Sequence, residues 1–225
     1  MLAGALLGMI LLILSACQPP TGTIVDATTG DGCSSLGGSA KDDCYFEARA
    51  CSKIQTLSIR DSCVAELAKI KEDINVCNLI LDSKTKGYCQ QQIAELTNNH
   101  DICSAIESGY WRDNCNYHLA LSNNKDTYCI LIADSSQREE CFDKVAVATN
   151  NKLICEFLTG DKRGQCLFTV AVNSHDTMLC QELDSVINRD VCRKRISKET
   201  KDKETCELIG TRAIKEDCLK QFAVS

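Results

Sequence analysis

The spacing of the cysteines constrains the fold of this chain more than any other feature. Sixteen of the 17 cysteines lie between Cys33 and Cys218, and from Cys51 onward the intervals alternate between 12 and 14 residues, with one interval of 11 before Cys166. This is a repeat of 26 residues. Repeats of about 20 to 50 residues are typical of solenoids, in which each unit contacts only its neighbours. The chain is therefore predicted to contain eight consecutive units with two cysteines each.

Other positions keep the same register. The residue three positions after each first cysteine is aliphatic, and the residue four positions after the second cysteine is apolar and precedes a small residue in the last seven units. The first set is Leu36, Ile54, Ile80, Ile106, Ile132, Leu158, Leu183 and Ile209; the second is Leu67, Ile93, Leu119, Val145, Val170, Ile196 and Phe222. Both spacings are helical, and no proline follows Pro20. Each unit is predicted to form a short helix, a turn, a longer helix and a polar connection.

Asparagine or aspartate precedes many of the short helices. Such residues lie four positions before a first cysteine in five units, and they are Asp73, Asn99, Asn151, Asp176 and Asp202. We expect them to act as N-caps, because their side chains accept hydrogen bonds from the free N–H groups of a first turn. No segment alternates with a period of two, so strands are not predicted.

Two disulfide pairings are compatible with the spacing. Cysteines 12 apart can face each other in an antiparallel helical hairpin, which pairs the two cysteines of each unit. The alternative joins neighbouring units and requires a bridge between Cys44 and Cys51, whose Cα atoms would lie roughly 10 Å apart on one helix.

We therefore predict one bridge within each unit, which leaves Cys17 as the cysteine without a disulfide partner. The eight predicted bridges join Cys33 to Cys44, Cys51 to Cys63, Cys77 to Cys89, Cys103 to Cys115, Cys129 to Cys141, Cys155 to Cys166, Cys180 to Cys192, and Cys206 to Cys218.

The first 32 residues differ in character from the repeats. Residues 2–14 are apolar, a length typical of a signal-peptide core, and Leu14-Ser15-Ala16-Cys17 follows them. These residues resemble the lipobox of prokaryotic lipoproteins, and the resemblance implies cleavage before Cys17 and lipidation of its thiol. Residues 17–32 contain both prolines, and their composition predicts a flexible tether. We expect a signal peptide at 1–16, a tether at 17–32 and a repeat domain at 33–225.

The sequence offers little for catalysis or metal binding. It contains three histidines and no Cys-x-x-Cys pair, phosphate-binding loop or Gly-x-Ser-x-Gly motif. A net charge of −6 disfavours nucleic acid as a partner. We therefore expect a protein that is not an enzyme, without a cofactor or a metal.

Two segments are candidates for binding. Tyr110 and Trp111 lie in the expected turn of the fourth unit and could form an exposed contact, or pack against the next unit. The segment 189–203 carries seven basic residues against three acidic ones, and Arg193, Lys194 and Arg195 are its centre. Its alternative is a solvated helix face.

A basic residue also precedes each second cysteine by three positions, usually followed by an acid. The basic residues are Lys41, Arg60, Lys86, Arg112, Arg138, Arg163, Arg189 and Lys215, and glycine replaces the acid at 87 and 164. They could line one edge for an anionic partner. A structural ion pair repeated with the unit is the favoured interpretation.

The predicted fold is therefore all-α, a disulfide-stapled α-solenoid of eight short helical hairpins. Its architecture resembles the tetratricopeptide-type and Sel1-type helical repeats, without their signature residues. This resemblance implies a surface that binds proteins or peptides. We expect an exported module, anchored by lipid to a cell membrane or envelope outside the cytoplasm, with a protein or peptide partner. The alternative is a structural spacer lipoprotein with no dedicated ligand.

Overall fold

A computed structural model describes residues 31–223 of the chain, with no side-chain detail for residue 31. The described residues form eight helical hairpins in succession, and none of these residues is in a β-strand. Each hairpin, here called units 1 to 8 in chain order, consists of a short helix, a turn and a longer helix. The predicted all-α repeat fold is confirmed.

The longer helices share a common length in the middle of the chain. They span Gly38–Glu47, Leu57–Lys71, Ser83–Thr97, Gly109–Asn123, Ser135–Thr149, Gly160–Asn173, Val186–Thr200 and Arg212–Lys220. The short helices span Asp31–Ser35, Cys51–Lys53, Ile74–Cys77, His100–Ala105, Asp126–Cys129, Lys152–Cys155, Leu179–Glu182 and Glu204–Glu207. Those of units 1, 2 and 7 are 3₁₀ rather than α-helices. Segments this short gain little from α-helical hydrogen bonding, so the tighter helix competes.

The connections between units are made by local hydrogen bonds. Five long helices are followed by a residue with positive φ, and the next backbone N–H donates to the carbonyl oxygen of the buried alanine of the repeat. These donor and acceptor pairs are Asp73 and Ala68, Asn99 and Ala94, Lys125 and Ala120, Asn151 and Ala146, and Asp176 and Ala171. This is the Schellman arrangement, which satisfies carbonyl groups that the helix end leaves free.

The predicted N-caps are confirmed for three of the five short helices. Asp73, Asn99 and Asn151 each accept a hydrogen bond from the backbone N–H two residues later. Asp176 and Asp202 accept similar bonds from the N–H groups of Met178 and Glu204, but the N-cap residues of these two helices are Met178 and Lys203. In units 3, 4 and 6 the cap starts the short helix immediately after a Schellman ending, so a few residues reverse the chain.

The disulfides join the two helices within every unit, and the Cα–Cα distances of 5.5 to 5.8 Å lie within the ordinary range for a disulfide. The within-unit pairing is the one predicted. The bridges are Cys33 with Cys44, Cys51 with Cys63, Cys77 with Cys89, Cys103 with Cys115, Cys129 with Cys141, Cys155 with Cys166, Cys180 with Cys192, and Cys206 with Cys218.

Nearly all of these cystines lie in the core, since every cysteine of the eight bridges except Cys44 is buried. The aliphatic residue three positions after the first cysteine is buried with them in units 2 to 8. In unit 1 the corresponding Leu36 is exposed. Unit 1 begins the described part of the chain, so no described hairpin lies before it to cover this side chain.

Successive long helices pack side by side, and the repeated small residue lies at their contact. Ala68, Ala94, Ala120, Ala146 and Ala171 have no solvent-exposed surface. A side chain of one carbon lets two helices approach closely, so a thin core suffices. The core is therefore a ladder of cystines, aliphatic side chains and alanines.

Eight bridges in one chain indicate an oxidising, extracytoplasmic environment, because thiols stay reduced in the cytosol. Within residues 31–223 no helix is long and apolar enough to cross a membrane. The predicted signal peptide at 1–16, the lipidation site Cys17 and nearly all of the tether lie outside the described residues; Asp31 and Gly32, at the end of the predicted tether, begin the first short helix.

We expect the disulfides to be essential to the hairpins. Replacing Cys103 and Cys115 by serine opens a loop of about a dozen residues and should lower the free energy of unfolding by about 3 kcal/mol. Urea unfolding followed by circular dichroism measures the change, and Ser104→Ala, at an exposed neighbouring position, is the control. An unchanged unfolding midpoint in the double variant would contradict this role.

Candidate functional site

The junctions between units are built around a buried aspartate two residues before the second cysteine. In four junctions its carboxylate accepts hydrogen bonds from two consecutive backbone N–H groups, just before the long helix of the next unit. These junction aspartates are Asp42, Asp61, Asp113 and Asp190, with N–O distances of 2.7 to 3.2 Å. Each is at most 6% exposed. One carboxylate therefore joins two units and offsets the positive end of a helix dipole.

At Asp42 and Asp190 the hydrogen bonds stabilise the charged form of the carboxylate. The pKa of Asp42 is lowered by hydrogen bonds from the Thr56 side chain and the Gln55 backbone. At Asp190 burial raises the pKa, but the hydrogen bonds from Thr211 and Gly210 outweigh it, so the pKa of this group is lowered as well. The recurring acid of the sequence is thus a junction between units.

Glycine takes the place of the junction aspartate in unit 3, and an aromatic side chain fills the space. A Cβ atom on Gly87 would lie 2.4 Å from Cδ1 of Trp111, which belongs to unit 4. Trp111 is half-buried there, and its ring centroid lies 5.3 Å from that of Tyr88. Trp111 therefore packs against the preceding unit rather than the next one.

The aromatic candidate pair is split by this packing. Tyr110 and Trp111 lie in the first turn of the helix Gly109–Asn123 rather than in the turn before it, because Ser108, in an extended conformation, is the N-cap. Tyr110 remains 68% exposed, with its ring edge-on to the indole. Of the two, only Tyr110 is freely accessible to a partner.

Two further junctions lack the aspartate. In unit 5 the longer Glu139 forms an ion pair with Lys162 of unit 6 at 2.5 Å. In unit 6 the residue is Gly164, and no atom lies within 4 Å of the place of its Cβ. A cavity of about 740 Å³ opens between units 6 and 7 at this point.

The basic residues three positions before the second cysteine serve the hairpins themselves. Arg112, Arg138 and Arg189 donate to the carbonyl oxygens of the aliphatic residues that end the short helices, at 3.4, 2.8 and 2.6 Å. Arg163 forms an ion pair with Glu156 of its own unit instead. These contacts support the structural interpretation over a row of free positive charges.

The three central basic residues of the unit 7 segment are each paired with a carboxylate within the protein. Arg193 donates to the carbonyl oxygen of Leu208 and pairs with Asp190, and its side chain is 14% exposed. Lys194 forms an ion pair with Asp217, and Arg195 forms one with Glu199 at 2.8 Å. The structure does not bring these three residues near Tyr110, since they lie three units apart. Arg193 is thus a junction residue, whereas Lys194 and Arg195 lie on the surface.

The histidines do not converge. His100 shares a hydrogen bond with Asn116 at 2.9 Å and stacks on Tyr128, whereas His175 lies 3.7 Å from Glu199. Among the described residues no group of three His, Cys, Asp or Glu side chains is arranged to hold a metal ion.

A row of exposed apolar side chains was missed by the sequence analysis. Leu79, Leu131, Phe157 and Leu208 all lie two residues after a first cysteine, and they are 65, 48, 53 and 55% exposed. In a stack of equivalent units such residues recur along one edge. We call them the apolar row. The sequence does show these apolar residues two positions after a first cysteine. It does not show whether a side chain at that position is buried in the core or exposed to water.

No protein-family model, no curated protein and no solved structure matches this chain.

The two junction glycines allow a matched test of the packing. Gly87→Ala should force the Trp111 side chain to move and lower the free energy of unfolding by about 1–3 kcal/mol. Gly164→Ala occupies the same repeat position in open space, and it should stabilise the protein by up to about 1 kcal/mol through helix propensity. Thermal unfolding and Trp111 fluorescence measure both. Equal effects of the two substitutions would mean that the indole does not depend on Gly87.

Proposed function

We propose that this protein is an extracytoplasmic, membrane-anchored module that binds a protein or peptide partner and performs no catalysis. The observation that carries the proposal is the apolar row. Four large side chains are kept at one repeat position, with about half or more of their surface exposed to water instead of packed in the core. Large apolar side chains that are exposed at a repeated surface position are candidates for protein interaction sites.

The surroundings of the row strengthen this interpretation. Ile130, next to Leu131, is 55% exposed, and Leu153, near Phe157, is 66% exposed. Phe157 is braced by a stacked contact with Phe142, at 4.7 Å between ring centroids. A partly ordered aromatic side chain loses little entropy on binding, which favours it as an anchor. The disulfide-bonded hairpins that carry the row hold these side chains on a rigid support.

The membrane anchor rests on the lipobox-like residues Leu14-Ser15-Ala16-Cys17. The resemblance implies that Cys17 becomes the first residue of the exported protein and carries lipid. Such an anchor is compatible with the oxidising environment that eight disulfides indicate. A tether of about 16 residues would separate the repeat domain from the membrane.

Cys17→Ser tests the anchor. The variant should lose lipidation and move from the membrane fraction to the soluble fraction of the cells that export it. Fractionation and the mass of the N-terminal peptide are the measurements. Membrane retention equal to that of the unaltered chain would refute the lipidated cysteine and leave the binding proposal untouched.

Photo-cross-linking on intact cells tests binding. We expect a variant with Leu79, Leu131 and Leu208 replaced by asparagine to lose a specific cross-linked partner by about tenfold or more. The matched control replaces Leu57, Ile70 and Val186 by asparagine; these are 48, 56 and 58% exposed but lie outside the row. Both variants keep the disulfides, so their helicity should match.

The alternative function, a structural spacer without a ligand, predicts a different result. In that case the row variant and its control would have the same cross-linked products as the unaltered chain. The exposed apolar row favours binding over this alternative, because a spacer gains nothing from apolar surface in contact with water.

A further inference from the structure

The cavity between units 6 and 7 has a defined origin. In four other junctions a carboxylate fills this space, whereas Gly164 leaves it open. The long helix of unit 6 starts at Gly160, so two residues without side chains border the cavity. Its volume of about 740 Å³ is within the range of ligand pockets. The space exceeds one side chain and fits a short peptide segment.

The lining combines apolar surface with acidic groups. Phe168 is half-buried and Leu183 is 2% exposed, and they form the apolar part of the wall. Asp161 of unit 6 and Asp184 of unit 7 also line the cavity, and both are exposed. Gln165 adds an amide group that can bind a peptide backbone, and Asn188 adds a second.

The cations around the cavity are already engaged. Lys162 pairs with Glu139, and Lys152 pairs with Glu182 at 2.6 Å. Arg163 is held by Glu156 through two hydrogen bonds, although its charge also acts on Asp184. Arg189 donates to backbone carbonyl oxygens.

The carboxylates of Asp161 and Asp184, in contrast, make no ion pair among the described residues. The wall of the cavity therefore carries two negative charges that no neighbouring cation neutralises through direct contact.

We propose that this cavity, the unit 6/7 groove, binds a basic segment of a partner peptide, with an arginine or lysine side chain inserted between Asp161 and Asp184. The inference rests on the proposed function and deepens it by naming the chemistry of the bound segment. The methylene groups of a basic side chain suit the half-buried ring of Phe168, and its charged end suits the two carboxylates.

An anionic segment fits the groove less well. Backbone N–H groups just before the next long helix hold a carboxylate in four other junctions, but here Asp161 and Asp184 would repel one. The adjoining cavity between units 5 and 6 shares Gln165 and Thr169 with the groove and adds Asp143, which makes no ion pair among the described residues, whereas its Glu140 pairs with Lys144. One further unpaired carboxylate thus lies beside the groove, which favours a partner with more than one basic residue.

Binding of a labelled peptide to the purified full chain tests the groove. The probe is fluorescein-Ala-Arg-Ala-Arg-Ala-amide, and the comparison peptides replace both arginines by glutamine or by glutamate. Fluorescence anisotropy should detect the arginine peptide with an affinity about tenfold or more above that for the glutamine peptide. Preference for the glutamate peptide, or no preference, would overturn the proposal.

Substitutions then locate the site. Asp161→Asn with Asp184→Asn should weaken binding of the arginine peptide by about tenfold or more. The control, Asp101→Asn with Glu204→Gln, removes two exposed acids of other units and should change the affinity less than about twofold. Equal losses of affinity in the two variants would mean that the peptide is attracted by the net negative charge of the protein, and would overturn the proposal that it binds in the groove.

A second variant tests the cavity without changing charge. Gly164→Leu places a side chain in open space on a helix surface, so the fold should persist while the groove fills. We expect loss of arginine-peptide binding with a melting temperature that is not lowered, since leucine also favours the helix over glycine, and retained binding would refute insertion at this place. The row variant of the cross-linking experiment leaves the groove intact. Failure of the groove is therefore distinguishable from failure of the proposed function.

Discussion

The disulfide within each hairpin is the interaction on which the rest of the structure depends. A short helix of three to six residues has no independent stability, and even the longer helices of about 15 residues are marginal alone. The bridge holds each pair of helices together before any neighbour adds to the core. A unit of 26 residues buries too little apolar surface to manage without it.

Between units the contacts are polar as well as apolar. Alanine at the helix contact allows close approach, and the junction aspartate then joins the carboxylate of one unit to two N–H groups of the next. Because these two hydrogen bonds require a particular geometry, the carboxylate fixes the orientation of the next hairpin. Where it is absent, the chain uses an indole, an ion pair or an open groove.

The two proposed binding surfaces lie where the units differ from one another. A regular stack presents the same surface in every unit, so recognition of one partner requires departures from the repeat. Among the described units the apolar row recurs only in units 3, 5, 6 and 8, and the open groove occurs at Gly164. Both lie on a framework held by bridges, which keeps binding groups in place without a large core.

The sequence by itself determined the units, their helices, three of the N-caps and the pairing of cysteines, because these depend on spacing within a few residues. It also showed the recurring acidic residue two positions before the second cysteine and the two glycines that replace it. Only the tertiary structure decided what they do, since Asp113 meets the N–H groups of residues 20 and 21 positions later and Gly87 meets Trp111 of the next hairpin. Likewise, only the tertiary structure showed that Arg193 is engaged at a junction and that the apolar row is exposed. Contacts between units depend on how hairpins stack, and a one-dimensional pattern does not distinguish a side chain that is covered by its neighbour from one that faces water.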